Sequence, residues 1–256
     1  MSAMTRTVLL ALDTSTEYCS VALLCSDSSA DAAAAPPRTW VRHEETGAVS
    51  STRVLPAVRE LFAEAGLALA DCNAIAFGSG PGSFTGLRTA TGVAQGLAFG
   101  LDVPVVPIGT LLACAESARL NRPSVTRVLA ALDARMDEVY WADYAWDDAA
   151  REWCAVAPPS LGTPGAVVAP DAPFTLAGNA VAAFGARLGV AALAEAIDEA
   201  ALPHALPVAF AALRAYRAGH TVPAELAAPD YVRDKVAQTT AERLAARAAQ
   251  SGEGVR

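Results

Sequence analysis

The chain has 256 residues, enough for one large domain or two small ones with a sizeable hydrophobic core. Its composition, 53% hydrophobic and 18% charged, is typical of a globular protein and excludes a disordered one. The net charge of −8 argues against a protein that binds nucleic acid unaided, because such binding requires a basic surface that displaces counterions.

The use of cysteine, lysine and histidine narrows the chemistry further. Five cysteines without a CxxC pair predict buried thiols in a reducing cytoplasm, and no apolar run approaches the roughly 20 residues that span a membrane. Lys235 is the single lysine, so a P-loop lysine is absent and Schiff-base chemistry is disfavoured. The three histidines, His43, His204 and His220, are too far apart to share one helical face, so no helix-borne metal site is expected.

In chain order, the first half is predicted to contain three strands followed by alternating helices and strands. Aliphatic or alternating runs indicate the strands, and apolar residues at helical spacing indicate the helices. Ser50 and Ser51 are suitable helix caps, and Gly66 ends the first helix. The predicted strands are 7–12, 19–25, 39–44, 73–78 and 103–108, and the predicted helices are 52–65 and 84–100.

The second half repeats the pattern of the first. The segment VLLALDTSTEYCSVALL from Val8 aligns with VLAALDARMDEVYWADY from Val128, so Asp13 falls on Asp133. Further matches in the same order, at a shift near 120 residues, favour an internal duplication. Two βββαβα halves, each with an acidic hairpin turn, predict the actin-like α/β architecture of sugar kinases and heat-shock ATPases.

We expect the duplicated fold to form two lobes, the first near residues 1–108 and the second near 109–228. Loops rich in proline and glycine predict that the second lobe is degenerate. Within it, the aromatic run at 139–146 is predicted to form a core strand, with Tyr140, Ala142 and Tyr144 on one face. The tail at 229–256 is predicted to return to the first lobe or to contact a partner rather than RNA.

Four segments together resemble the TsaB family, also called YeaZ. They are LALDTSTEYCSVAL, AFGSGPGSFTGLRTATGVAQGLAFG, RVLAALDARMDEVYWADY and PDYVRDKVA. The likeness is dense over the first 145 residues, weak over the next 80 and present again in the tail. Family members commonly carry a histidine where this chain has Ser50, so any contribution of that histidine is absent here.

The resemblance implies a fold and a function. TsaB proteins are bacterial, catalytically degenerate paralogues of the threonylcarbamoyl transferase TsaD. We therefore expect a cytoplasmic scaffold without catalytic activity of its own, acting in the synthesis of N6-threonylcarbamoyladenosine beside the tRNA anticodon. The implied partners are a TsaD-like transferase and a TsaE-like ATPase, or a second copy of this chain when it is alone. Contact with tRNA would be indirect, and ATP and Mg²⁺ would belong to the complex.

The glycine-rich segment at 76–100 has two interpretations. It could offer backbone N–H groups to phosphate at a helix N-terminus, but it fits neither GxxxxGK[ST] nor GxGxxG, because Ser83 holds the sixth position. Alternatively, its glycines allow close backbone packing. Gly92, Gly96 and Gly100 recur every four residues and line one face of a helix of poor intrinsic propensity, which favours packing.

A packing face raises the question of what covers it. The resemblance implies a four-helix interface, formed with the same helix pair of TsaD or of a second copy. We expect the exposed faces of the two predicted helices to form it. The candidate interface residues are Val54, Leu55, Val58, Phe62, Thr89, Val93 and Gly96.

The first hairpin is the remaining candidate site. In actin-like enzymes the motif DxGTxxxxxAL holds phosphate and metal, whereas DTSTEYCSVAL here keeps Asp13 and has Ser15 at the glycine position. Candidate nucleotide-binding residues are Asp13, Thr14, Ser15 and Asp133. The favoured interpretation is that Asp13 caps a turn, because no lysine or histidine accompanies the acidic pair. No catalytic or metal-binding residue is assigned.

Two alternatives to the scaffold remain. One is an independent nucleotide-dependent phosphotransferase of the actin-like superfamily, against which the missing lysine and the altered hairpin motif argue. The other is a homodimeric structural module that differs from the scaffold in not binding TsaD.

Overall fold

The computed structural model describes residues 5–28 and 36–233. Each predicted boundary in the first half lies within three residues of the observed one. The third helix of this half, α3, was not predicted, because nearly all of its positions are apolar or small and it shows no helical period. The elements are β1 (Thr5–Asp13), β2 (Tyr18–Ser28), β3 (Arg38–Glu45), α1 (Ser50–Ala65), β4 (Ala74–Gly80), α2 (Phe84–Leu101), β5 (Val105–Gly109) and α3 (Thr110–Asn121).

The second half repeats the strands but shortens the helices. Its elements are β6 (Arg127–Asp133), β7 (Val139–Asp147), β8 (Glu152–Gly162), β9 (Thr175–Ala177), α4 (Ala180–Phe184), β10 (Ala196–Asp198) and α5 (Ala205–Arg217). Between β8 and β9, where the first half has α1, the one helical element is a short 3₁₀ turn at Pro164–Ala166. The proline- and glycine-rich sequence of this stretch disfavours a longer helix.

Two mixed five-stranded sheets share one topology. The first has the order β3-β2-β1-β4-β5 and the second the order β8-β7-β6-β9-β10, when both are read from the third strand of each half. In each sheet the first three strands are antiparallel, and the fourth strand pairs with the first in parallel. The repeated order confirms the predicted duplicated α/β fold of two lobes with a degenerate second lobe.

Helices cover both faces of the first sheet. Helices α1 and α2 pack on one face, where Leu10, Leu12 and Leu61 belong to one buried cluster. Helix α5 packs on the opposite face against Leu9 and Ala11. Alternate residues of β1 therefore face opposite clusters, as the period of two of a β-strand requires.

Helix α5 lies on the first sheet, although the sequence prediction counted its residues in the second lobe. Its N–H group at Ala205 donates to Ser20 Oγ of β2 at 2.9 Å. The chain thus returns to the first sheet before its tail begins. The predicted lobe boundaries near residues 108 and 228 stay predictions. So does the return of the tail at 229–256, of which residues 234–256 lie outside the described part of the chain.

A buried polar cluster joins the two lobes. Glu116 of α3 is 3% exposed and accepts two hydrogen bonds from the Arg214 guanidinium of α5, at 3.0 and 2.6 Å. The indole N–H of Trp153, on β8, donates to the same carboxylate at 2.9 Å. Each of the carboxylate oxygens therefore accepts a hydrogen bond, and these bonds offset the cost of burying the charge.

The remaining core predictions are confirmed, with one exception among the cysteines. Tyr140, Ala142 and Tyr144 are 8%, 0% and 5% exposed and share one cluster. Four of the five cysteines are buried free thiols, but Cys154 is exposed on edge strand β8. Among residues 5–28 and 36–233, no helix is both long and apolar enough to cross a lipid bilayer.

Candidate interlobe cleft and exposed helix face

A cleft of about 590 Å³ lies between the lobes. The β1–β2 turn lines it from the first lobe, with Thr14 to Glu17, and the β6–β7 turn lines it from the second, with Leu132 to Met136. Further lining comes from the glycine loop, the N-terminal ends of α1 and α2, residues 230–233, Tyr140, Asn179 and Pro203. Of the four predicted nucleotide-binding residues, Thr14, Ser15 and Asp133 line this cleft and Asp13 does not.

Asp13 is turned into the protein, where it is 1% exposed. Its Oδ1 atom accepts hydrogen bonds from the Ser15 N–H at 3.0 Å and the Ser15 hydroxyl at 2.8 Å. Burial raises the pKa of the carboxyl to about 6, and the Ser15 bonds oppose that shift. Gly78 closes over the Oδ2 side, since a Cβ at that position would collide with Oδ2. This geometry supports the turn-capping interpretation.

Asp133 makes a similar turn but stays at the cleft. Its Oδ1 atom accepts the Arg135 N–H at 2.8 Å, and its Oδ2 atom pairs with the exposed Arg135 guanidinium at 3.3 Å. The Asn179 side chain accepts the Asp133 N–H at 2.9 Å. Within the described part of the chain, no group of three or more His, Cys, Asp or Glu side chains could hold a metal ion.

The two aspartates do not occupy equivalent positions, which corrects their alignment as counterparts. Leu12 lies in the cluster under α1 and α2, whereas Leu132 lies in the interlobe cluster with α3. Helices α2 and α4 follow corresponding strands, so right-handed crossovers place them on corresponding faces of their sheets. Asp13 and Asp133 adjoin leucines on opposite faces and therefore point to opposite sides themselves.

The glycine loop is filled by the chain's own β1–β2 turn. The Ser83 N–H donates to the Ser15 carbonyl at 2.8 Å, and the Thr14 hydroxyl donates to the Gly86 carbonyl at 2.6 Å. A Cβ at Gly82 would collide with Ser15, and one at Gly86 with the Thr14 carbonyl. These glycines permit close backbone approach between loop and turn, in agreement with the packing interpretation.

The later glycines of α2 meet no neighbour among residues 5–28 and 36–233. A Cβ at Gly92, Gly96 or Gly100 would have no atom within 4 Å outside the helix's own backbone. Phe99, on the same side of the helix, is 76% exposed. We call Gly92, Gly96, Phe99 and Gly100 the glycine face. Sequence reasoning missed Phe99, although its spacing of three residues from Gly96 places it on this face.

The exposure of the predicted interface residues is mixed. Val54, Val58 and Phe62 are buried at 0%, 3% and 5% in the chain's own core, so the prediction that they lie on an exposed face is wrong. They are the positions of α1 that pack against the first sheet. Leu55 is 47% exposed and Gly96 is exposed, whereas Thr89 and Val93 are half-buried.

Ser50 occupies the position at which the sequence analysis expected a histidine. It is one of the residues that line the cleft. Its hydroxyl is 2.8 Å from the Thr46 hydroxyl and donates to the Gly47 carbonyl at 3.1 Å. The side chain therefore serves the local entry into α1, and its bonds stay within that turn.

Comparisons with known proteins place these features in context. The family described as TsaD, tRNA N6-adenosine threonylcarbamoyltransferase, matches residues 41–250. The tRNA threonylcarbamoyladenosine biosynthesis protein TsaB of Escherichia coli is 44% identical over 140 residues, which are 55% of this chain and 56% of that protein. TsaB of Haemophilus influenzae is 48% identical over 134 residues, 52% of each chain. The match thus spans about half the length of these relatives.

The structural comparison extends over most of the chain. The structure described as YeaZ from Pseudomonas aeruginosa has a TM-score of 0.73 and 39% identity, covering 88% of this chain and 99% of that one. A second structure, described as an uncharacterized protein with similarity to peptidase YEAZ from the same organism, has a TM-score of 0.76 at 39% identity. It covers 89% of this chain and 100% of its own.

Proposed function

The chain belongs to the TsaB (YeaZ) family, and we propose that it is a non-catalytic scaffold subunit in the synthesis of tRNA N6-threonylcarbamoyladenosine. In this role it positions and activates a TsaD-like transferase and recruits a TsaE-like ATPase. Any ATP and Mg²⁺ belong to the complex, and tRNA is contacted through the transferase. Alone, the chain pairs with a second copy.

The observation that carries the proposal is the glycine face of α2. Glycine inside a helix costs about 0.5–1 kcal/mol relative to alanine, and in the described part of the chain no neighbouring atom requires glycine at these three helical positions. Close packing of a helix from another protein would explain why these positions are glycine. Phe99, exposed beside the glycines, gives such a partner an apolar anchor.

The cleft supports the absence of independent catalysis. Asp13, the residue that would hold a metal or phosphate in an actin-like enzyme, is buried and closed off by Gly78. The N–H group of Ser83, at the start of α2, is already bonded to the β1–β2 turn. The single lysine, Lys235, lies outside the described residues, and the described lining of the cleft contains none. The described walls of the cleft therefore offer neither a free acidic side chain at position 13 nor a lysine for phosphoryl transfer.

The test of the scaffold role is reconstitution of tRNA modification from purified subunits, with and without this chain. We expect product formation to require the chain, and an equal product yield without it would contradict the proposal. An ATPase assay on the isolated chain separates the phosphotransferase alternative, for which sustained turnover is the expected result.

The docking surface is tested separately by substitution of Gly96. Gly96→Leu fills the open space on the glycine face and is expected to abolish association with the transferase and with a second copy. The matched control is Gly189→Leu, a similarly open glycine in the second lobe, which should leave association unchanged. Sedimentation velocity and a pull-down with the transferase measure both variants. Equal association of Gly96→Leu and wild type would contradict this docking surface.

A further inference from the structure

Residues 230–233 run across the interlobe cleft. The first two of them, Asp230 and Tyr231, contact the first lobe. The Asp230 N–H donates to the Ser79 carbonyl, at the end of β4, at 2.7 Å. Gly80 makes this approach feasible, because a Cβ there would collide with the Asp230 carbonyl oxygen. The Tyr231 hydroxyl accepts from Arg88 Nε at 3.0 Å, and its ring lies 5.8 Å from the Phe84 ring.

The next two residues hold the second lobe. Val232 packs against the buried cluster of the second sheet. The Arg233 guanidinium donates to the Ala134 carbonyl at 3.0 Å and pairs with Glu138 at 2.8 Å. It also lies 3.1 Å from the Met136 sulfur, and its side chain is 14% exposed. The Arg233 side chain thus contacts three residues of the β6–β7 turn.

The contacts of this segment are separate from the buried polar cluster that also joins the lobes. The cluster of Glu116, Arg214 and Trp153 joins α3, α5 and β8, and none of these side chains lines the cleft. Residues 230–233 line the cleft and contact the β6–β7 turn. Two lobes joined both at the cleft and away from it lose the freedom to rotate about either contact alone.

We propose that residues 230–233 are a latch that fixes the angle between the lobes and hence the width of the cleft. Domain closure around a ligand requires that two lobes move as bodies about a hinge. The latch opposes this motion, since its two ends are bound to different lobes. It also fixes the first turn of α2 relative to the second lobe, through Arg88 and Phe84. The inference does not depend on the proposed scaffold function.

Releasing the second-lobe end tests the latch. Arg233→Ala removes the bonds to Ala134 and Glu138 together. Its matched control is Arg187→Ala, which removes an ion pair to Asp137 of the same turn without touching the latch. Glu138→Gln removes one of the Arg233 contacts from the opposite side and is expected to have a smaller effect in the same direction.

The measurement is the distance between spin labels on the two lobes, obtained by pulsed EPR on full-length protein diluted with unlabelled chain. Cys154 is exposed on the second lobe, and Thr39→Cys provides an exposed site on the first, while the other native cysteines are buried. We expect one narrow distance population in wild type and in Arg187→Ala. In Arg233→Ala we expect a second population.

Two results would overturn the latch. One is a distance distribution in Arg233→Ala that matches wild type. The other is loss of a cooperative melting transition in that variant, which would make Arg233 necessary for folding rather than for the interlobe angle. A double variant of Arg233→Ala and Glu138→Gln should broaden the distribution no further than Arg233→Ala alone, because both act on one contact.

Discussion

The two lobes share a strand order but differ in what covers their sheets. In the first lobe, α1 and α2 have 16 and 18 residues and pack along one whole face of the sheet. In the second, α4 has five residues, and Phe174, Leu188 and Val190, from loops and a short 3₁₀ helix, cover the same face. A duplicated scaffold thus retains its sheet while its helices diverge.

The difference explains where a partner can dock. A long helix offers a continuous ridge or groove to another helix, whereas a helix of one turn offers neither. The first lobe has such a surface in the glycine face, and the corresponding helix of the second lobe is too short to have one. The proposed docking surface therefore belongs to the first lobe.

The hairpin turns show a second contrast between the lobes. Asp13 caps its turn from inside the protein, with a carboxyl pKa raised to about 6, and Asp133 caps its turn from the cleft wall. In both turns the aspartate Oδ1 atom accepts the N–H group two residues further on, although Asp13 is buried and Asp133 is half-buried. The predictions below test each contrast, beginning with the contact that joins the lobes.

The largest effect is expected from Glu116→Ala, which tests whether the lobes unfold as one unit. The change leaves the Arg214 guanidinium and the Trp153 indole N–H without their acceptor, at a cost of about 3–5 kcal/mol. Urea unfolding followed by tryptophan fluorescence measures the loss, and we expect one shifted transition. Glu152→Ala, at an exposed position of β8, is the control and should change little. Two separate transitions would show that the lobes unfold independently.

The next effect concerns the buried carboxyl of the first turn. The folded pKa of Asp13, about 6, exceeds the value of 3.8 for an exposed aspartate. The folded chain therefore binds this proton more tightly than the unfolded chain, so the stability contributed by this group is full below about pH 4 and falls as pH rises to about 6. Two pKa units correspond to roughly 3 kcal/mol.

Asp13→Asn removes this titration and keeps the Oδ1 acceptor for Ser15. We expect the free energy of unfolding of the variant, relative to wild type, to rise by roughly 2–3 kcal/mol between about pH 4 and pH 7. Urea titrations at several pH values measure the difference. A difference that stays constant over this range would contradict the assignment of a buried, titrating carboxyl.

A smaller loss is expected from Gly86→Ala, in the first turn of α2. The new Cβ collides with the Thr14 carbonyl, so loop and turn must separate, at a cost of about 1–3 kcal/mol. Thermal unfolding measures the change. An unchanged melting temperature would mean that the β1–β2 turn can shift at little energetic cost. Close packing would then not explain the glycine at position 86.

The smallest effect has the opposite sign. Gly92→Ala lies in the same helix but meets open space, so we expect a gain of about 0.5–1 kcal/mol in monomer stability from helix propensity alone. The measurement is urea unfolding at low protein concentration, where association contributes least. A loss of stability would show that the glycine face is covered by this chain after all.

The sequence predicted the first lobe closely and the second in outline. The strands at 7–12 and 39–44 and the helix at 84–100 were recognised because period, caps and glycine stops are local signals. Helix α3 was missed because it is buried on nearly every side and lacks a polar face. Val54, Val58 and Phe62 were wrongly assigned to an exposed face, because apolar residues at helical spacing usually mark the buried face.

Sequence alone determined the strands and long helices of the first lobe, because period, caps and glycine stops are local signals, and it revealed the duplication, because the hairpin motif recurs in the second half. Tertiary structure alone decided that Asp13 faces inward, that α5 returns to the first sheet and that residues 230–233 join the lobes. These features depend on tertiary contacts between elements that are distant along the chain. Local preferences do not specify such contacts, because the bonded residues are 99 positions apart in one case and 185 in another.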